Sequence, residues 1–62
     1  MTPIPGSSVR LLVDLIADDG TILPSDSRAM VIGHQGDRLI VEVVDEYGER
    51  HSATCQRWEV RA

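Results

Sequence analysis

The sequence predicts an all-β domain of five short strands, with one short helical turn before the last strand. Three observations carry this. Leu39-Ile40-Val41-Glu42-Val43-Val44 is a β-branched run too short, between its flanking turn signals, to be an average helix. Asp19-Gly20 is a dipeptide suited to a tight hairpin turn and has apolar residues on both sides. Clusters of turn formers recur at Pro24-Ser25-Asp26-Ser27, Gln35-Gly36-Asp37 and Asp45-Glu46-Tyr47-Gly48, and so leave only short segments between them.

Pro3, Pro5 and Gly6 suit an extended lead-in, so residues 1–7 read as a poorly tied tail and residues 8–62 as the domain. From Val9 to Ile16 two periodicities compete. Val9, Leu11, Val13 and Leu15 alternate as in a strand, whereas Val9, Leu12, Val13 and Ile16 fall on one helical stripe. A helix would place Arg10 in its first turn and Asp18 and Asp19 beyond its last, opposing the helix dipole. With Asp19-Gly20 following, the strand reading is preferred. Arg28 to His34 reads as a second strand, with Ala29, Val31 and Gly33 on one face and Met30 and Ile32 on the other. The run from Leu39 to Val44 turns Leu39, Val41 and Val43 to the core, and Glu49 to Thr54 forms its antiparallel partner. Cys55-Gln56-Arg57 is expected to make the helical turn, and Trp58 to Arg61 the last strand, with Trp58 and Val60 on one face. A flat sheet of this size leaves one face wet and two edges open, so curling into a barrel is the economical solution.

Composition excludes several functions. The chain has 62 residues, 42% of them apolar, which suffices for one small core but not for a deep catalytic cleft. Six arginines and no lysine stand against ten acidic residues, giving a net charge of −4 that repels a phosphate backbone. The apolar stretch Val9 to Ile16 is short and interrupted by Arg10 and Asp14, and no basic segment precedes it, so neither a signal peptide nor a membrane span is expected. A lone Cys55 forms no internal disulfide and favours a reducing, cytoplasmic setting. Tyr47 and Trp58 are the only aromatic residues, so no stacked cofactor is expected.

The order of a first strand at Val9 to Ile16, a long loop through Asp19-Gly20 and Pro24, three meander strands, a short turn and a last strand resembles an SH3-like barrel. Within that class the chain is similar to small bacterial KOW-like domains through Leu39-Ile40-Val41-Glu42-Val43-Val44-Asp45-Glu46-Tyr47-Gly48. In Ser27-Arg28-Ala29-Met30-Val31-Ile32-Gly33, Ala29 stands where the KOW pattern carries Gly, removing the close backbone approach Gly permits. The resemblance implies a five-stranded SH3-like barrel. It does not choose among the peptide-binding, ribosomal and accessory roles that such barrels serve.

No residue set signals chemistry. His34, Asp37, His51 and Cys55 are the candidates for a soft metal site, but His51 and Cys55 on one straight strand stand about 13 Å apart at roughly 3.3 Å per residue. The same separation defeats a Cys/His nucleophilic pair, so the histidines read as solvated and the thiol as buried or half-buried. A polyproline groove needs several rings, so Trp58 is expected to cap the open end of the barrel, with a hot spot shared with Tyr47 as the rival reading. Asp18, Asp19 and Asp26, like Asp45, Glu46 and Glu49, read as solvated turns or as a docking surface for a basic partner. Ile40 and Val44 flank Glu42 on the outer face of their strand, which suggests a contact patch. The expectation is a non-enzymatic protein-interaction module, an accessory or antitoxin-like subunit. It would bind another protein or a second copy of itself through Asp18, Asp19, Ile40, Glu42, Val44, Tyr47 and Trp58, with no metal or cofactor. An RNA- or DNA-contacting module using gathered arginines is the alternative.

Overall fold

The computed structural model describes residues 4–62, and every strand pairing in it is antiparallel. The strands are β1 (Ser8–Leu11), β2 (Leu15–Ile16), β3 (Ile22–Leu23), β4 (Arg28–Gln35), β5 (Arg38–Val44), β6 (Arg50–Cys55) and β7 (Val60–Arg61), with a 3-10 turn at Arg57–Glu59. Five of them form one sheet in the order β6-β5-β4-β1-β7, while β2 and β3 form a separate ribbon. The expected all-β class and the short helical turn near the C-terminus are both present.

Alternation governs which side chains are inside. On β5, Leu39, Val41 and Val43 are buried as expected, and opposite them on β6 lie Cys55, Ala53 and His51. Leu11, Val31, Leu39 and Val41 are the largest fully enclosed side chains. The core is therefore aliphatic.

The expected single strand from Val9 to Ile16 is broken in two. The Leu12 amide donates to the Glu59 carbonyl at 2.8 Å and Asp14 Oδ1 accepts the Ser25 amide at 2.7 Å, so the chain leaves the sheet between β1 and β2. Val9, Leu11, Leu15 and Ala17 are nevertheless all buried and Val13 half-buried. The bend thus preserves the period of two that the sequence displays. β4 carries a bulge: Val31 pairs with Val41 but Gly33 with Ile40, which leaves Ile32 as the extra residue. Gly33 accordingly sits opposite the outward Ile40, and not in register with Ala29 and Val31 as alternation alone predicts.

Two further expectations are corrected at the C-terminus. Cys55 ends β6, and the helical turn begins after it, where the Gln56 amide donates to Glu59 Oε1 at 2.7 Å and the Glu59 amide to the Gln56 carbonyl at 3.0 Å. Trp58 therefore lies in the turn, not on a strand face with Val60, and is 67% exposed.

No closed barrel forms among the described residues. The ribbon approaches β6 through one main-chain hydrogen bond, Asp18 N–H to the Ser52 carbonyl at 2.8 Å, without a ladder. The two-residue strands β2 and β3 pair with each other and β7 with β1, so none of them bridges to β6. Residues 1–3 of the expected tail lie outside the described residues. Within residues 4–7, the Gly6 amide donates to the Val31 carbonyl at 2.7 Å and the Ser7 carbonyl accepts the Val31 amide at 2.9 Å. No helix is long and apolar enough to cross a membrane among these residues.

Candidate functional site

Two turns carry an aspartate with the same division of labour. In the β2–β3 turn, Asp19 Oδ1 accepts the Thr21 amide at 2.9 Å, an Asx turn assisted by Gly20 at φ +88°. In the β5–β6 turn, Asp45 Oδ1 accepts the amides of Tyr47 at 2.8 Å and Glu49 at 2.9 Å. Each aspartate then uses Oδ2 to hold His51, Asp19 on Nδ1 and Asp45 on Nε2, both at 2.8 Å. His51 is only 8% exposed, so it is not the solvated histidine that the sequence suggests. Nor are Asp19 and Asp45 idle turn residues.

This arrangement fixes the charge of the ring. A neutral imidazole has one N–H and would aim its other nitrogen's lone pair at a carboxylate, whereas the imidazolium donates to both. Asp45 first and Asp19 second raise the pKa of His51 above its ordinary value, against the opposing effect of burial. The carboxyls move the other way. Asp19 is lowered to about 2, chiefly by the Thr21 amide, and Asp45 is lowered chiefly by His51. With both nitrogens occupied, His51 presents no open edge to a substrate, and the cluster reads as a latch between the ribbon and the β5–β6 hairpin. Ser52 Oγ adds a bond to Asp18 Oδ2 at 3.2 Å beside it.

Ligand atoms of Asp45, Glu49 and His51 lie within 4.8 Å of one another, a cluster that contains only His51 of the metal candidates named from sequence. To ligate a metal His51 would have to surrender a carboxylate. Cys55 is buried four residues further along β6, and its thiol pKa is raised by that burial and secondarily by Glu59. It forms no pair with His51.

The structure brings three of the seven expected contact residues onto one surface and scatters the other four. Ile40, Glu42 and Val44 share the outer face of β5, with Ile40 and Glu42 half-buried and Val44 56% exposed. Asp18 and Asp19 lie in the ribbon turn. Tyr47 sits in the β5–β6 turn before β6 and Trp58 beyond its other end, so they form no common hot spot across the roughly 20 Å that six strand residues span.

Sequence reading left two neighbouring features out of the contact patch, although alternation already sets Met30 and Ile32 opposite Ala29 and Val31. Met30 and Ile32 of β4, 50% and 45% exposed, extend the apolar outer face. Arg10 pairs with Arg28 on one side and with Arg61 on the other, gathering arginines that look dispersed along the chain. Only the strand register could reveal this. No protein-family model, curated protein or solved structure matches the chain.

Proposed function

We propose that the chain is a non-enzymatic protein-interaction module of SH3-like character that docks its partner on the outer face of the five-stranded sheet. The observation that carries this reading is the apolar outer surface of Met30, Ile32 and Val44, each about half exposed, with the half-buried Ile40 on the same face. Burying branched and thioether side chains of this kind gives roughly 1.5–3 kcal/mol each when fully removed from water. A monomer gains nothing from leaving them exposed together. The SH3-like assignment is supported by the meander β4-β5-β6, the return of the C-terminal strand beside β1, and the ribbon reaching toward β6.

Affinity capture from native lysate followed by gel filtration tests the function. Recovery of one stoichiometric protein by the native chain, lost in Val44→Asp, is expected. A chain that elutes as a monomer with no stoichiometric companion contradicts the reading. The rival reading, an RNA- or DNA-contacting module using gathered arginines, requires oligonucleotide binding that weakens steeply with salt.

A further inference from the structure

We propose that the partner presents an acidic segment to this face, its carboxylates seated on a row of arginines that crosses the whole sheet. This rests on the reading of the outer face as a docking surface and names the chemistry of what docks. On β6 and β5, Arg50 pairs with Val44; on β4, β1 and β7, Arg28 pairs with Arg10 and Arg10 with Arg61. Arg28 and Val44 line one shallow depression with Met30 and Glu42, which joins the two halves into a single transverse row. Four of the six arginines therefore stand in line over four interstrand intervals of about 4.8 Å, roughly 19 Å in all.

Like charges directly opposite on neighbouring strands are destabilising. At three of the four positions no ion pair relieves this among the described residues. Among the described residues neither Arg10, Arg28 nor Arg61 has a carboxylate within 4.0 Å, and Arg50 reaches only Glu42, at 3.8 Å. The Arg10 guanidinium donates to the Asp26 carbonyl at 2.9 Å, which orients it without neutralising it. An anion laid along the row offsets the repulsion.

The remainder of the surface favours protein carboxylates over a phosphate backbone. Asp45 and Glu46 line the same groove as Arg28, so a long polyanion running off the row meets charge of its own sign. The adjacent row, Ser8, Met30, Glu42 and Ser52, offers an apolar contact and no aromatic platform for a base. Guanidinium forks grip carboxylates bidentately, and Met30 and Val44 suit the apolar residues between them.

A titration of the nitrogen-15-labelled chain, read at the arginine Nε–H signals, tests the proposal with two probes: a synthetic peptide of alternating Glu and Leu, and oligothymidylate of equal charge. The peptide is expected to shift Arg10, Arg28 and Arg61, and to bind at least about tenfold more weakly to the Arg10→Gln/Arg28→Gln variant. Arg57→Gln, off the row, is expected to bind as the native chain does. Failure of the peptide to bind, tighter binding of oligothymidylate, or peptide binding indifferent to the double variant overturns the arginine assignment. Indifference to the double variant combined with loss in Met30→Asp leaves the docking face standing; indifference to both removes it as well. Thermal melts of each variant verify folding.

Discussion

His51 Nδ1 lies 2.8 Å from Asp19 Oδ2, joining β6 to a turn 32 residues earlier in the chain. The contact falls where the sheet stops short of closing. A ladder there would have held the ribbon by main-chain pairing, whereas here His51, the Asp18–Ser52 bonds and the burial of Leu15, Ala17 and Leu23 in the core hold it, so His51 is one of the couplings between ribbon and sheet.

Replacing His51 with Ala removes both carboxylate partners' shared donor and is expected to lower the thermal midpoint more than Tyr47→Ala does. Hydrogen exchange locates the effect. The Asp18 amide, bonded to the Ser52 carbonyl, should exchange faster in His51→Ala while the Val41 amide in the sheet centre is less affected. Unchanged protection at Asp18 would mean that the ribbon is held by other contacts.

The latch gives stability a defined pH profile. His51 has a raised folded pKa, so its contribution is complete below about 6.5, its ordinary value, and is lost as pH rises through the folded value. Asp19 and Asp45 have lowered folded pKa values, so theirs is present above about 3.9 and is lost as pH falls, for Asp19 toward about 2. Denaturant melts across pH should therefore show a plateau between about pH 4 and 6.5 and a decline on each side. His51→Gln is expected to flatten the alkaline decline; an unchanged decline would assign it to another group.

Leu39 is fully buried on β5, an interior strand of the sheet. Leu39→Ala should cost about 2–4 kcal/mol by cavity formation, a large share of what a domain of this size possesses. Val44→Ala, on the opposite face, should change stability by less than about 0.5 kcal/mol. Equal losses at the two positions would invert the assignment of faces.

Cys55 should resist alkylation in the folded chain. Its thiol is buried and its pKa raised, so little thiolate reaches solvent at neutral pH. Iodoacetamide labelling is expected to accelerate steeply in denaturant. Rapid labelling under native conditions would show that the C-terminal end of β6 opens readily.

Much of the fold was legible because alternation is local: Leu39, Val41 and Val43 point inward, and the alternating set Val9, Leu11, Val13 and Leu15 survives the bend between β1 and β2. The bend was not, since it depends on the Asp14 carboxylate accepting the Ser25 amide and on the Leu12 amide donating to the Glu59 carbonyl, partners distant in sequence. Trp58 was misplaced because the Gln56–Glu59 capping box shifts the helical turn by two residues. The candidate site was least legible. Asp19, His51 and Asp45 meet only once two turns are brought together, and the arginine row exists only through strand register. That Ile40, Glu42 and Val44 share the outer face of β5 was legible, because alternation along one strand is local.

The most direct measurement is a site-specific photo-crosslinking scan in living cells, with the photoreactive side chain placed in turn at Met30, Val44, Tyr47 and Trp58. Docking on the outer sheet face requires one discrete protein adduct from Met30 and Val44 and none from Trp58. Adducts from Trp58 alone, or none from any of the four, would contradict it.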